Sequence, residues 1–247
     1  MRILIGIDDT DNLESRGTGH CARQLAFALA QADVAAPDGI TRHQLLVDPR
    51  IPYTSHNSSA CITATCQPAK IGDVISLCRE FLLREAASGS DVGLCVARRE
   101  QATSAIQSWG NRAKTQVLVM ADALALAAQH DIHLEGLTGT RGGVIGSLAA
   151  VGLRAAGNDG RYLWLPGLRE LGEGIYTSAQ LKEVAHIDDI QLESGQSILE
   201  HERILIGDWP RPILRGGKAV LLAQEEKHHG EYEWVGITRE RVKELTG

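Results

Sequence analysis

Three carboxylates stand within four residues, Asp8, Asp9 and Asp11, with only Thr10 among them. Acids this close repel one another unless a proton or a cation sits between them. Hard oxygen ligands of this kind suit magnesium, which commonly takes one or two carboxylates and completes its shell with water and phosphate. The alternative is an acidic turn whose carboxylates bond nearby backbone or face solvent. The flanking residues favour a built site. Ile3-Leu4-Ile5-Gly6-Ile7 reads as a buried strand that delivers the acids at its C-terminal end. After the acids, Arg16-Gly17-Thr18-Gly19-His20 leads into apolar positions at Cys21, Leu25, Ala28 and Leu29. That spacing predicts a helix, with Thr18 as its N-cap. Gly17, Thr18 and Gly19 would then offer backbone N–H groups to a phosphate at the positive end of the helix dipole. Acids for a metal beside a phosphate loop imply a nucleotide site, although no Walker sequence G-x-x-x-x-G-K-[ST] occurs.

A second loop has the same character. Gly136-Leu137-Thr138-Gly139-Thr140-Arg141-Gly142-Gly143 places four glycines in eight residues ahead of the small-residue run Val144 to Gly152. Gly139, Gly142 and Gly143 could close on a phosphate, with Arg141 supplying a charged fork. The structural alternative is a tight turn before a closely packed helix, since Gly146, Ala149, Ala150 and Gly152 would admit another backbone.

The elements that must hold these loops alternate along the chain. Strands are expected at Gln44 to Asp48, Ala60 to Cys66 and Val92 to Ala97. Ile71, Val74, Ile75, Cys78, Phe81 and Leu82 form the stripe of a helix ending near Gly89. Glu100 to His130 reads as largely helical, interrupted around Gly110. Beyond a strand at Arg161 to Leu165, the Pro166 to Thr177 stretch carries the expected domain boundary. A small α+β unit follows, with a helix at Ser178 to Val184 and strands at Arg203 to Ile206, Ala219 to Gln224 and Tyr232 to Ile237. A turn at His228-His229-Gly230 and a closing helix at Arg239 to Leu245 complete it. Asp188-Asp189 reads as a linking turn, Glu225-Glu226-Lys227 as an exposed charged edge, and the four dispersed tryptophans as core anchors.

Bulk properties narrow the classes. Apolar content of 43% with 23% charged residues is ordinary for a water-soluble globular chain, and no apolar run approaches the ~20 residues of a membrane span. The N-terminal run meets Asp8 too early for a signal peptide. Five scattered cysteines without a C-x-x-C pair point to reduced thiols and a cytoplasmic setting, and away from zinc. A net charge of −6 argues against broad nucleic-acid binding.

Taken together, the motifs resemble a known family, the archaeal synthetases that attach agmatine to the anticodon cytidine of an isoleucine tRNA. The resemblance rests on Ile5-Gly6-Ile7-Asp8-Asp9-Thr10-Asp11, on Arg16-Gly17, and on Ile51-Pro52-Tyr53. It continues in Val92-Gly93-Leu94-Cys95-Val96, in Arg141 to Gly152, and in Asp208-Trp209-Pro210-Arg211-Pro212-Ile213-Leu214-Arg215-Gly216. It implies a mixed α/β (α+β) fold: a kinase-like α/β domain over residues 1–170, then a shortened ferredoxin-like α+β domain over 171–247. It further implies ATP and Mg2+, with Asp8, Asp9 and Asp11 as the metal set and Arg141 steadying charge on a transferring group. His20 aligns, after an insertion at Asn12 to Ser15, where the family carries a threonine that becomes phosphorylated. The family continues into an oligonucleotide-binding domain and a zinc ribbon, for which these 247 residues supply no counterpart. Thr54 and His56 stand where it has basic residues after the Ile-Pro-aromatic triplet.

The expected function is therefore an ATP- and magnesium-dependent phosphoryl or nucleotidyl activation of a small-molecule or nucleoside-like acceptor, with no grip on tRNA by this chain alone. Two rivals remain. Asp9-Thr10-Asp11 partly matches the D-x-D-x-[TV] signature of haloacid-dehalogenase-type phosphatases, with Asp188-Asp189 as late metal acids, but Leu13 stands in the Thr/Val place. The other is a nucleotide-binding regulatory protein without turnover, suggested by His20.

Overall fold

Five apolar residues in a row need cover on both faces, and the N-terminal strand receives it. In the computed structural model, which describes residues 1–52, 57–226 and 230–247, β1 (Arg2–Asp8) is buried from Ile3 to Ile7. A loop leads to α1 (Thr18–Gln31), then to β2 (Ala36–Gln44), β3 (Ser58–Thr65), α2 (Ile71–Glu85) and β4 (Gly93–Arg98). Two helices follow, α3 (Ser104–Ala113) and α4 (Met120–Gln129), and then β5 (His133–Gly136) and α5 (Val144–Ala156). The strands lie in the order β5-β4-β1-β3-β2, every neighbouring pair antiparallel. Because strand side chains alternate between faces, Leu4 joins the core built from α3, α4 and α5, while Ile3, Ile5 and Ile7 point to the opposite face. Each fully buried aliphatic side chain contributes about 1.5–3 kcal/mol, so this strand is held firmly.

The mixed α/β fold agrees with the sequence pattern, and several boundaries differ. Gln44 to Asp48 is not a strand. The strand lies earlier, at β2, where its pairing with β3 tolerates a bulge between Pro37 and Gly39. Gly110 does not interrupt a helix. It sits inside α3, where a Cβ would come within 2.8 Å of the Leu153 backbone nitrogen, so its small size lets α3 lie close on α5. The break falls instead between α3 and α4. Trp109 is a core anchor as expected, and its indole donates to the Ile145 carbonyl at 3.2 Å.

The chain divides into two compact units, Met1–Ala156 and Gly157–Gly247, the divide falling earlier than the expected 170/171 boundary. The second unit contains β6 (Arg161–Trp164), β7 (Gly174–Thr177), α6 (Ser178–Ala185), β8 (Asp189–Gln191) and β9 (Arg203–Ile206). It ends with β10 (Ile213–Arg215), β11 (Lys218–Glu225), β12 (Trp234–Gly236) and α7 (Arg239–Thr246). Its strands run β6-β10-β11-β12-β9-β7, with β8 parallel to β11. Thus Arg161–Trp164 pairs with β10 inside this unit. Asp188-Asp189 is no free turn: the Asp188 carboxylate accepts from the Ala219 N–H at 2.6 Å, and Asp189 accepts from Ser197 Oγ at 2.7 Å. Glu225 is exposed, yet it is the last residue of β11 and pairs with Trp234. Tyr53 to His56, Lys227 and the His228-His229 pair lie outside the described residues.

Candidate functional site

The acids at the end of β1 open onto a cleft of about 180 Å³ within the first unit. Asp8 is the last residue of the strand and pairs with Gly93 of β4. Asp9 then turns the chain with a left-handed φ of 51°, a conformation that Asp tolerates better than most residues. Asp8, Asp9 and Asp11 all line the cleft. Asp8 keeps some exposure towards it, but the dense protein around the carboxyl and then the charge of Asp9 push its pKa up to about 8. Burial, and after it the charge of Asp91, raises Asp9 to about 6. Both carboxyls therefore sit where a positive charge would be welcome.

Asp11 is tied to the start of α1. Thr18 Oγ1 donates to its Oδ1 at 3.0 Å, and Thr10 Oγ1 donates to Thr18 Oγ1 at 3.2 Å. Thr18 is not the N-cap: Gly17 is, and no side chain caps the helix. The threonine hydroxyl links the acids to the helix instead. Gly17, Thr18 and Gly19 line a second depression of about 180 Å³, together with Asp11, Arg42 and Ser58. Asp11, Thr18 and Ser58 border both spaces. Ser59, 1% exposed, lines the second one with a hydroxyl that has no hydrogen-bond partner among the described residues. His20 lines neither space.

The second glycine-rich loop divides its labour. A Cβ built on Gly146 would overlap the Asp8 carboxylate, and one on Gly93 would overlap the Gly143 backbone. Gly139, at φ 52°, lies against the Asp91 carboxylate. These three contacts are close packing, the alternative expected for this loop. Gly142, Gly143 and Gly146 all line the cleft, and of these Gly142 alone has room, its nearest contact being Thr140 Oγ1 at 3.6 Å. Arg141 is exposed, has a left-handed φ of 68° and is not among the lining residues. The guanidinium that does border the cleft is that of Arg50, held by two 2.8 Å bonds to Asp48. Those bonds bring Asp48 down to about 2.

Sequence reasoning missed Asp91. It accepts from the Thr140 N–H at 2.6 Å and from the Thr140 hydroxyl, pinning the loop, and it lines the cleft beside Asp9. A lone acid after Ser88-Gly89-Ser90 has no pattern to betray it. Leu45, Ile51, Val117, Leu118 and Ile145 give the cleft apolar lining. Among the described residues no group of three or more His, Cys, Asp or Glu side chains converges to hold a metal by itself. The donor set nevertheless suits a hard cation that uses one or two carboxylates and takes its other ligands from water and phosphate. All five cysteines are buried and free, and burial pushes the Cys61 and Cys78 thiols up to about 12.

Structure and cleft define a mixed α/β protein whose antiparallel sheet presents an acidic strand end to an open cleft. Solved structures share that fold. A tRNA fluorescent labelling enzyme matches with a TM-score of 0.54 and 24% identity, over 62% of this chain and 36% of its own. TiaS, an agmatidine synthetase acting on an isoleucine tRNA, matches in its apo form at 0.53 and 23%, over 62% of this chain and 35% of its own. The complex of TiaS with that tRNA and ATP matches at 0.54 and 23%, over 62% and 36%. The matched part of this chain thus spans roughly a third of the length of those proteins. No protein-family model and no curated relative matches the sequence. Among the described residues no helix is long and apolar enough to cross a membrane.

Proposed function

We propose that the first unit binds ATP with a divalent cation and uses it to activate an acceptor by phosphoryl or nucleotidyl transfer. The observation that carries this reading is the pair Asp8 and Asp9, both pushed upward in pKa, within a cleft that also has an apolar lining. A purine would lie against Leu45, Val117, Leu118 and Ile145, with the phosphates directed to Thr18 and Gly142, and Asp11, an acid of the metal set, facing them only through the cation. Asp8 and Asp9 would hold magnesium, which supplies neutralisation of the phosphate charge when bound. Arg50 would take the role expected of Arg141, steadying negative charge at the cleft edge. Gly17, Thr18 and Gly19 would present the start of α1 to the transferred group or to the acceptor.

The fold shared with TiaS, which has been solved with tRNA and ATP, makes a nucleoside-like acceptor the preferred class. In this reading the first unit is the ATP-binding domain, and the second is a small α+β domain. With 31 acids against 25 bases, this chain by itself would hold tRNA no better than another acidic protein. The regulatory reading, a kept pocket without turnover, would give ATP binding with release of neither ADP nor AMP. The phosphatase reading loses its late acids, because Asp188 and Asp189 are engaged within the second unit.

Calorimetric titration with ATP, with and without magnesium, tests the proposal, followed by chromatography of the nucleotide products. Magnesium-dependent binding that weakens more than about tenfold in Asp8→Asn is expected, a loss of roughly 1.4 kcal/mol or more. Equal affinity in every sample would refute it. ADP as product would mark phosphoryl transfer, and AMP nucleotidyl transfer.

A further inference from the structure

The second unit holds a pocket of its own, about 240 Å³, between the loop after β9, strands β11 and β12, and the start of α7. The wall is apolar: Leu221 and Val242 are buried, while Leu205, Val235 and Ile237 remain half-exposed. Trp209 also borders it and is 48% exposed, although tryptophans were expected in the core. It adopts a left-handed φ of 58°, uncommon for a bulky side chain, and carries the Arg169 guanidinium 4.5 Å from its ring centroid.

Two further guanidiniums reach the cavity, those of Arg211 and Arg239. Arg211 is half-buried between Pro210 and Pro212, and its Nε is buried with no hydrogen-bond partner among the described residues. The cost of desolvating this charged group is therefore not offset, and an oxyanion on the outer nitrogens of the guanidinium would offset it. Burial, and next the charge of Arg239, pulls the Arg211 pKa down. Asp208 and Glu240 are the acids facing this pair, yet neither forms an ion pair with it among the described residues. Both acids are exposed, so solvent screens them more than it screens the half-buried Arg211.

We propose that this pocket binds a small organic anion, its apolar body against Leu205, Leu221, Val235 and Trp209 and its carboxylate or phosphate on Arg211 and Arg239. The apolar wall sets the body, and the two unpaired guanidiniums set the head, since an oxyanion accepts the paired N–H donors that a guanidinium offers. The site lies wholly within the second unit and does not depend on the nucleotide reading of the first.

The test titrates the full chain by calorimetry with 3-phenylpropionate, phenyl phosphate and the uncharged 3-phenylpropanol. At least one anion should bind saturably and about tenfold or more tightly than the alcohol, and should change a tryptophan fluorescence signal that Trp209→Phe removes. Arg211→Gln should weaken that anion by about tenfold or more, with circular dichroism checking the fold. If that variant unfolds, Arg239→Gln carries the test, because Arg239 is exposed. Preference for one anion supports the site and tells a carboxylate source from a phosphate source. Absence of saturable binding by both anions overturns the proposal, as does equal affinity for the alcohol or unchanged affinity in the folded arginine variants.

Discussion

Two helices of the first unit start after glycine-rich loops, and the glycines serve different ends. Before α1, Gly17 has open surroundings, with the Asp11 carboxylate 3.5 Å from where its Cβ would lie. Before and within α5, Gly143 and Gly146 are filled against Gly93 and Asp8. The first loop only presents backbone to a space, while the second, besides bordering the cleft, lets a helix approach a strand end. Glycine count therefore does not identify a phosphate loop; the space beside each glycine does.

Three substitutions break or sharpen that comparison. The largest effect belongs to Gly93→Ala, which forces a methyl into the Gly143 backbone, where no rotamer change offers relief. It should cost about 3 kcal/mol or more by urea denaturation. A stability near wild type would mean that the α5 loop is free to move after all.

The intermediate effect concerns Asp8, which that packing encloses. Its folded pKa, about 8, lies above its unfolded value, so the folded protein holds a proton that the unfolded chain has lost. The metal-free protein should therefore lose stability as pH rises from about 4 to about 8, after which the loss is complete. Asp8→Asn cannot lose that proton, and melting curves across this range should show the variant gaining on wild type with rising pH. Added magnesium at pH 8 should narrow the gap by raising wild type alone. Parallel melting profiles at every pH would show that Asp8 titrates as an exposed acid.

The smallest effect should come from Gly17→Ala. Its φ of −58° is open to any residue and its surroundings are roomy, so stability should change by no more than about 0.5 kcal/mol. Binding of ATP in the same variant should fall, because the methyl would occupy part of the depression that Gly17 lines. A large stability loss by thermal melting would place Gly17 with the packing glycines and erase the contrast between the loops.

Much of this was legible beforehand, for definite reasons. The run Ile3 to Ile7 ending in acids could hardly be other than a buried strand delivering carboxylates, and β1 is that strand. The stripe from Ile71 to Leu82 became α2, and the small-residue run became α5. Short strands escaped notice. β5 and β10 have four and three residues, too few to show a period, and exist because β4 and β11 offer them hydrogen-bonding edges. Glycines misled in both directions. Gly110 suggested a break where it permits a helix contact, and Gly139 suggested a phosphate contact where it accommodates Asp91.

The sequence by itself determined which acids are clustered, which strand carries them and which helix follows, because those facts depend on neighbours along the chain. Only the tertiary structure decided that Asp91 joins Asp9, that Arg50 rather than Arg141 borders the cleft, and that Gly146 lies under Asp8. Each of these pairs residues far apart in the chain, or turns on which way a side chain leaves the backbone. Burial and charge at such a point come from residues brought together by folding, and local pattern carries no record of them.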